Sequence, residues 1–425
     1  MSTSPAERIH TDFAIKHGIA MKTEKPGVLI LGGSANTTCL VRGLGRKGIK
    51  TSVSASANCP ALKSRYCMRG FPVPKGYDSS DYWSHLLLSV KHNTLHGHVI
   101  LACSDEAVEF LAKNKEALKQ HYLLDDSIPD LQFAMLDKIR TLELGKSAGC
   151  LVPDFWKVQS IADVKRLKDN LVYPVIIKPV HSHLFQKKYK RKKYLLVNDA
   201  DELIVKAREV LHMDIRFMIC DFIPGPDSLS SSYHTYIDVN GNHLFDYTHK
   251  IFRRHHKNEG TASLHETKWL PETAKMGQRF FRGIRFQGIG HIEFKYDLRD
   301  GKLKIIECNP RFSAAQQTAL KSGLDMGFFT YCSITGMPLP EDCSFEEGVT
   351  CWRPLTDILS FRELHRLKEQ SFSGWIRSIF KPRITFPYFD IFDPAPFFME
   401  CWKVLLNRLN DVTPHLKRMR LFSYR

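Results

Sequence analysis

Apolar and polar positions alternate along the chain with two periods, and their order predicts two kinds of sheet. From Gly27 the pattern runs strand, glycine turn, helix: Val28 to Leu31, then Gly32-Gly33-Ser34, then an amphipathic stretch through Leu40, Leu44 and Gly48. A second strand is predicted at Thr51 to Ser54, and a third at His98 to Ala102 leads into a helix that Ser104 can cap, with Asp105 and Glu106 suiting its positive end. Strands alternating with helices argue for a parallel sheet. Further on, Leu136 to Arg140 opens a helix ending near Gly149, and Tyr173 to Pro179 is a short apolar strand. Leu195 to Val197 and Phe217 to Ile223 read as strands flanking a helix at Asp199 to Leu211, and Ala314 to Leu324 as helical. Ser232 to Val239 and His243 to Thr248 pair across Asn240-Gly241, a strong hairpin signal. Residues 1–26 show no sustained period and are expected to be a loose leader.

A second hairpin carries the most chemistry. With Arg299, Asp300 and Gly301 as a three-residue loop and Gly301 at positive φ, Leu298 faces Lys302, and Glu293 lies opposite Glu307. Two carboxylates about 5 Å apart repel by roughly 3 kcal/mol at an effective dielectric near 20, so a cation is expected between them. Glu307 and Asn309 share a strand face, and Arg311 follows at the strand's exit. All-oxygen ligands without Cys or His in register suit Mg2+, or Mn2+ in its place. A solvated acidic face is the alternative. Ile292, Phe294 and Tyr296 alternate with the charged positions and mark the opposite face as buried.

Composition narrows the class. The chain has 425 residues, enough for two or three domains, and 43% of them are hydrophobic. Eleven cysteines without a Cys-x-x-Cys pair indicate neither a disulfide framework nor a zinc site. No apolar run approaches the roughly 18 residues that span a bilayer, so a cytoplasmic protein is expected. The net charge of +16 calls for anionic partners. The densest basic run is Gln186 to Lys193; Lys178 closes the apolar strand before it. Gly32-Gly33-Ser34 could cradle an anion, but a tight turn is the simpler role, since no full Gly-x-Gly-x-x-Gly is present. After Pro338, aromatics from Trp352 to Trp402 alternate with basic residues and fit either peripheral attachment to a membrane surface or packing over the core. No nucleic-acid signature accompanies them.

Taken in order, these motifs resemble the ATP-grasp superfamily, particularly its carbamoyl-phosphate-synthase-like and carboxylate-amine ligase branches. The resemblance implies an α/β and α+β protein: a Rossmann-like pre-ATP-grasp domain at 27–130, and an ATP-grasp domain at 131–340 with a lid near 150–215. A basic, aromatic extension at 341–425 follows. It implies that Lys138 and Lys178 contact the phosphates of ATP, that Cys220, Asp221, Phe222 and Ile223 form the adenine hinge, and that Asp227 binds the ribose. It further implies Lys250 as a phosphate contact, Glu293, Glu307 and Asn309 as Mg2+ ligands, and Arg311 beside a reacting acyl phosphate. Two features depart from the family pattern. His181-Ser182-His183 and the basic run stand where many relatives carry a Gly-rich loop, and Cys220-Asp221 replaces the usual hinge pair. The implied activity joins a small-molecule carboxylate to an amine. A carboxylating or phosphorylating enzyme of the same fold, and a non-catalytic basic binding protein for nucleic acid or a membrane surface, are the alternatives.

Overall fold

The computed structural model describes residues 25–89, 94–180, 185, 188–189 and 192–406. Nearly all of the expected leader, His181-Ser182-His183, half of the basic run and the basic C-terminal end lie outside the described residues.

Four parallel strands open the chain, in the spatial order Cys67–Gly70, Thr51–Ser54, Val28–Leu31, Val99–Ala102. Val28–Leu31 is the buried centre of this sheet, which its unbroken apolar run requires. Ser104 caps the helix Asp105–Lys113 by accepting from the Ala107 N–H. Gly32 and Gly33 take φ of +71° and +74°, a region open to glycine at little steric cost. Asn36 Oδ1 accepts from the N–H groups of Ser34 and Thr37 at 3.0 and 3.1 Å. The turn therefore spends these donors internally, and its role is the tight turn. Asn36 Nδ2 also donates to Phe312 O at 2.9 Å, tying this domain to the Asn-Pro-Arg-Phe segment.

A small antiparallel sheet follows, in the order Phe155–Val158, Phe217–Asp221, Val175–Pro179, Leu195–Val197. Helices Ile161–Leu167 and Ala200–Leu211 cover one face, burying Val164, Leu203 and Ala207 against Val175, Ile177 and Ile219. Phe217–Asp221, expected at the hinge, is thus an inner strand of this sheet.

The main sheet has seven strands, ordered Lys302–Asn309, Gly288–Asp297, Ser230–Ile237, His243–His255, Thr261–Thr267, Thr350–Trp352, Ile384–Thr385. Its last two strands come from the segment expected to be an extension. That segment is part of the core architecture: Arg253 pairs with Asp357 through Nε and Nη2 at 2.9 and 2.8 Å, and Trp352 and Trp375 donate to the same carboxylate. Asp393 accepts from Arg42, Ser64 Oγ and the Arg65 N–H, so the segment also straps the first domain. Trp352, Trp375, Phe386 and Phe397 are partly buried, while Phe380, Phe392, Phe398 and Trp402 stay exposed. No helix among the described residues is long and apolar enough to cross a membrane.

Both expected hairpins form. Ile237 pairs with His243 around Gly241, at φ +82°. In the acidic hairpin, however, Asp297 pairs with Lys302, so the loop has four residues rather than three. A β-bulge at Ile306 then takes up one residue, and Glu293 lies opposite Glu307 as expected. The two offsets cancel at the ligands but not between them, where Ile305 rather than Ile306 pairs with Phe294.

Candidate nucleotide and metal site

The small sheet and the main sheet enclose a cleft of about 90 Å³. Lys138 and Lys178 reach it from the helix Lys138–Ser147 and the strand Val175–Pro179, Glu293 and Glu307 from the acidic hairpin, and Cys220 to Ile223 from one end. Asp137 caps the helix by accepting from the N–H groups of Ile139 and Arg140, which fixes Lys138 on its first turn. Lys178 Nζ donates to Ile306 O at 3.0 Å, so the bulged residue supplies a seat for this lysine. Lys138 Nζ lies 3.4 Å from Val180 O. Burial, with the Lys178 charge nearby, pulls its pKa down to about 8.

The two carboxylates are held by the protein's own cations. Arg254 Nη2 lies 2.6 Å from Glu293 Oε2, and Lys193 Nζ 3.7 Å from Glu307 Oε2. Lys193 foremost, then Lys178 and Lys138, hold the Glu307 carboxyl well below the usual range despite its burial. Asn309 Nδ2 approaches Glu307 Oε1 at 3.4 Å, and its Oδ1 accepts from Arg311 Nη2 at 3.2 Å. Arg311 Nε in turn donates to Asp105 at 2.5 Å, bridging to the first domain. Glu293, Glu307 and Asn309 offer oxygen atoms on neighbouring strands, a donor set that fits Mg2+.

Two expected residues lie elsewhere. Lys250 sits on the opposite face of its strand from the cleft, with its Nζ 5.7 Å from the centre of the Phe252 ring. Bulges between Ile251 and Arg254 reset the alternation of this strand, so Arg254, not Lys250, enters the cleft. Asp227 is 3% exposed, and its two carboxylate oxygens accept from the N–H groups of Arg254 and Asn258 at 2.9 Å each. Its carboxylate organises the backbone of the neighbouring hairpin and does not line the cleft.

Three basic residues of the site escaped the sequence reading. Arg254 falls among Lys250, Arg253, His255 and His256, where the pattern assigns no face, and Lys193 ends the densest basic run. Lys295 extends the Glu293 face by two residues. It donates to Ile223 O, Gly225 O and Asn258 Oδ1 at 2.9, 3.0 and 2.7 Å, and burial lowers its pKa to about 8. Its alternation with Glu293 was the available signal.

No protein-family model matches the chain. It is 22% identical over 263 residues to the D-aspartate ligase of Enterococcus faecium, a match covering 55% of this chain and 57% of that one. The match therefore spans little more than half the length of that curated relative. The L-amino acid ligase of Bacillus licheniformis superposes with a TM-score of 0.55 at 18% identity, covering 77% of this chain and 79% of that structure. The N5-carboxyaminoimidazole synthetase of Staphylococcus aureus gives a TM-score of 0.55 at 16% identity over 77% and 82%. The biotin carboxylase domain of the Hydrogenobacter thermophilus 2-oxoglutarate carboxylase, solved with MgADP and bicarbonate, gives 0.59 at 16% over 77% and 74%. The chain has the ATP-grasp fold.

Proposed function

We propose that this protein is an ATP-dependent carboxylate-amine ligase that forms an amide through an acyl phosphate and releases ADP and phosphate. One observation carries the reading: Lys138 and Lys178 face Glu293 and Glu307 across a single cleft between the two sheets. In this reading the strand Phe217–Asp221 and the residues after it receive the adenine, largely through backbone groups. Lys138 and Lys178 neutralise the phosphates, with Arg254 in the place expected of Lys250. Glu293, Glu307 and Asn309 hold Mg2+, which neutralises charge on the triphosphate and aligns it. Lys193 and Arg254 occupy the carboxylates in this structure and have to turn from them toward the phosphates.

The chemistry needs little more from the protein. A substrate carboxylate oxygen takes the γ-phosphoryl group, and Arg311 at the exit of the hairpin stabilises the charge on the resulting acyl phosphate. An amine then attacks the acyl carbon, phosphate departs with the bonding electrons, and the amine loses one proton. No side-chain nucleophile is required. The D-aspartate ligase and L-amino acid ligase among the relatives support the ligase branch over the carboxylating one.

The test is ADP release from Mg-ATP over a matrix of carboxylates and amines. Release that requires both substrates, with amide product, is expected of the wild type and not of Glu307→Gln. Release supported by bicarbonate without an amine would replace this reading with carboxylation, and equal turnover by Glu307→Gln would remove the metal assignment.

A further inference from the structure

Beside the cleft, a second pocket of about 140 Å³ shares Lys193, Arg254, Glu293 and Glu307 with it and adds Arg311 at its edge. Four adjacent strands of the main sheet each place a histidine beneath this region: His291, His234, His249 and His265, none more than 4% exposed. Their ring centroids follow one another at 4.3, 5.2 and 5.2 Å. His249, His265 and His291 line the pocket. His234 stacks on His291 and lies tilted against His249.

One nitrogen on each ring lacks a hydrogen-bond partner: His291 Nε2, His234 Nε2, His249 Nδ1 and His265 Nδ1. Buried polar atoms are normally satisfied, and a row used only for packing would be better served by apolar rings. The row lies where a molecule meeting Arg311 would place its other end. The volume is close to that of a cavity known to hold benzene, roughly 150 Å³, so rim and floor together admit a molecule of about six heavy atoms. The rim is cationic, with Lys193, Arg254 and Arg311 against two carboxylates that the metal would cover. It therefore suits an anion, whereas the floor, whose imidazoles burial keeps neutral, suits an uncharged or ammonium hydrogen-bonding group.

We propose that this pocket is the subsite of the carboxylate substrate and that it selects a small amino acid or hydroxy acid, with the carboxylate at Arg311 and the second polar group on His249 and His265. The proposal rests on the ligase reading above. His249 and His265 are then specificity-determining residues, remote from the phosphates.

Hydroxylamine can stand in for the unknown amine. It attacks the acyl phosphate at carbon, expels phosphate and leaves a hydroxamate, so only the acid needs to be found. The full chain with Mg-ATP and hydroxylamine is offered small amino and hydroxy acids beside propionate and butyrate. Amino or hydroxy acids should be preferred in kcat/KM by about 100-fold or more, the discrimination expected of a site built to hydrogen-bond a polar group. His265→Leu should raise KM for the acid by about 10-fold with little change in kcat, and His265→Gln should restore most of it. Calorimetric Mg-ATP affinity, measured on each variant, should stay within about twofold, which also reports folding. Equal use of unsubstituted acids, no hydroxamate from any small polar acid, or an unmoved KM in His265→Leu overturns the subsite while nucleotide binding persists. Failure of the wild type to bind Mg-ATP overturns the ligase reading, and the subsite with it.

Discussion

The acidic hairpin and the strand His243–His255 both depart from simple alternation, with opposite consequences. In the hairpin a four-residue loop and a bulge at Ile306 cancel, so Glu293 meets Glu307 where an uninterrupted ladder would have put them. In the other strand the two shifts between Ile251 and Arg254 fall on opposite strands and restore the register, yet the extra residue at Phe252 leaves the faces of this strand exchanged. Lys250 is left outside the cleft and Arg254 is carried in. Alternation assigns faces dependably only as far as the next bulge, and beyond it the pairing partners of each side chain have to decide.

The sharpest way to break this comparison is to separate the two neighbouring arginines. Arg253 faces away from the cleft and holds Asp357 at zero exposure, so Arg253→Met leaves a buried carboxylate unpaired. It should cost about 3 to 5 kcal/mol of stability in chemical denaturation. Next in size, Glu307→Gln should lower ADP release by about 10² to 10³-fold, the scale on which a single preorganised electrostatic group acts. Arg254→Met should lower kcat/KM by about tenfold or more, whereas Lys250→Ala should stay within about twofold. A large effect of Lys250→Ala alone would restore the uninterrupted register.

The smallest effect is one of pH. Lys138 titrates at about 8 in the free protein, below its ordinary 10.5, because burial disfavours its charge. Phosphates favour the charged form and so raise that pKa. Binding takes up a proton once pH exceeds about 8, and Mg-ATP affinity should weaken with rising pH by up to about tenfold per unit. Below pH 8 it should be flat in this respect. Calorimetry in buffers of different ionisation enthalpy checks the proton uptake, and Lys138→Met should lack it.

Much of the scaffold was legible from residue pattern. Val28–Leu31, Thr51–Ser54 and Leu195–Val197 form at the expected residues, Ser104 caps as expected, and Asn240-Gly241 turns the hairpin. Lys138, Lys178, the acidic pair and the hinge residues Cys220 to Ile223 converge because each is tied to a strand or helix start that is itself readable. The failures share a physical cause. Asp227 was read from its place after the hinge, yet two backbone N–H groups from a hairpin some 27 to 31 positions later claim it. Thr350–Trp352 and Ile384–Thr385 are too short to show a period, so their membership of the main sheet depends on partners distant in sequence. The histidine row is invisible along the chain, since its four members come from four strands and become neighbours only in the folded sheet.

The pairing of Glu293 with Arg254 and Glu307 with Lys193 bears on how the protein comes to be assembled. Because these two cations already offset the repulsion between the two acids, the fold carries its own neutralisation at this spot, and on the ligase reading a charged guest would have to evict it.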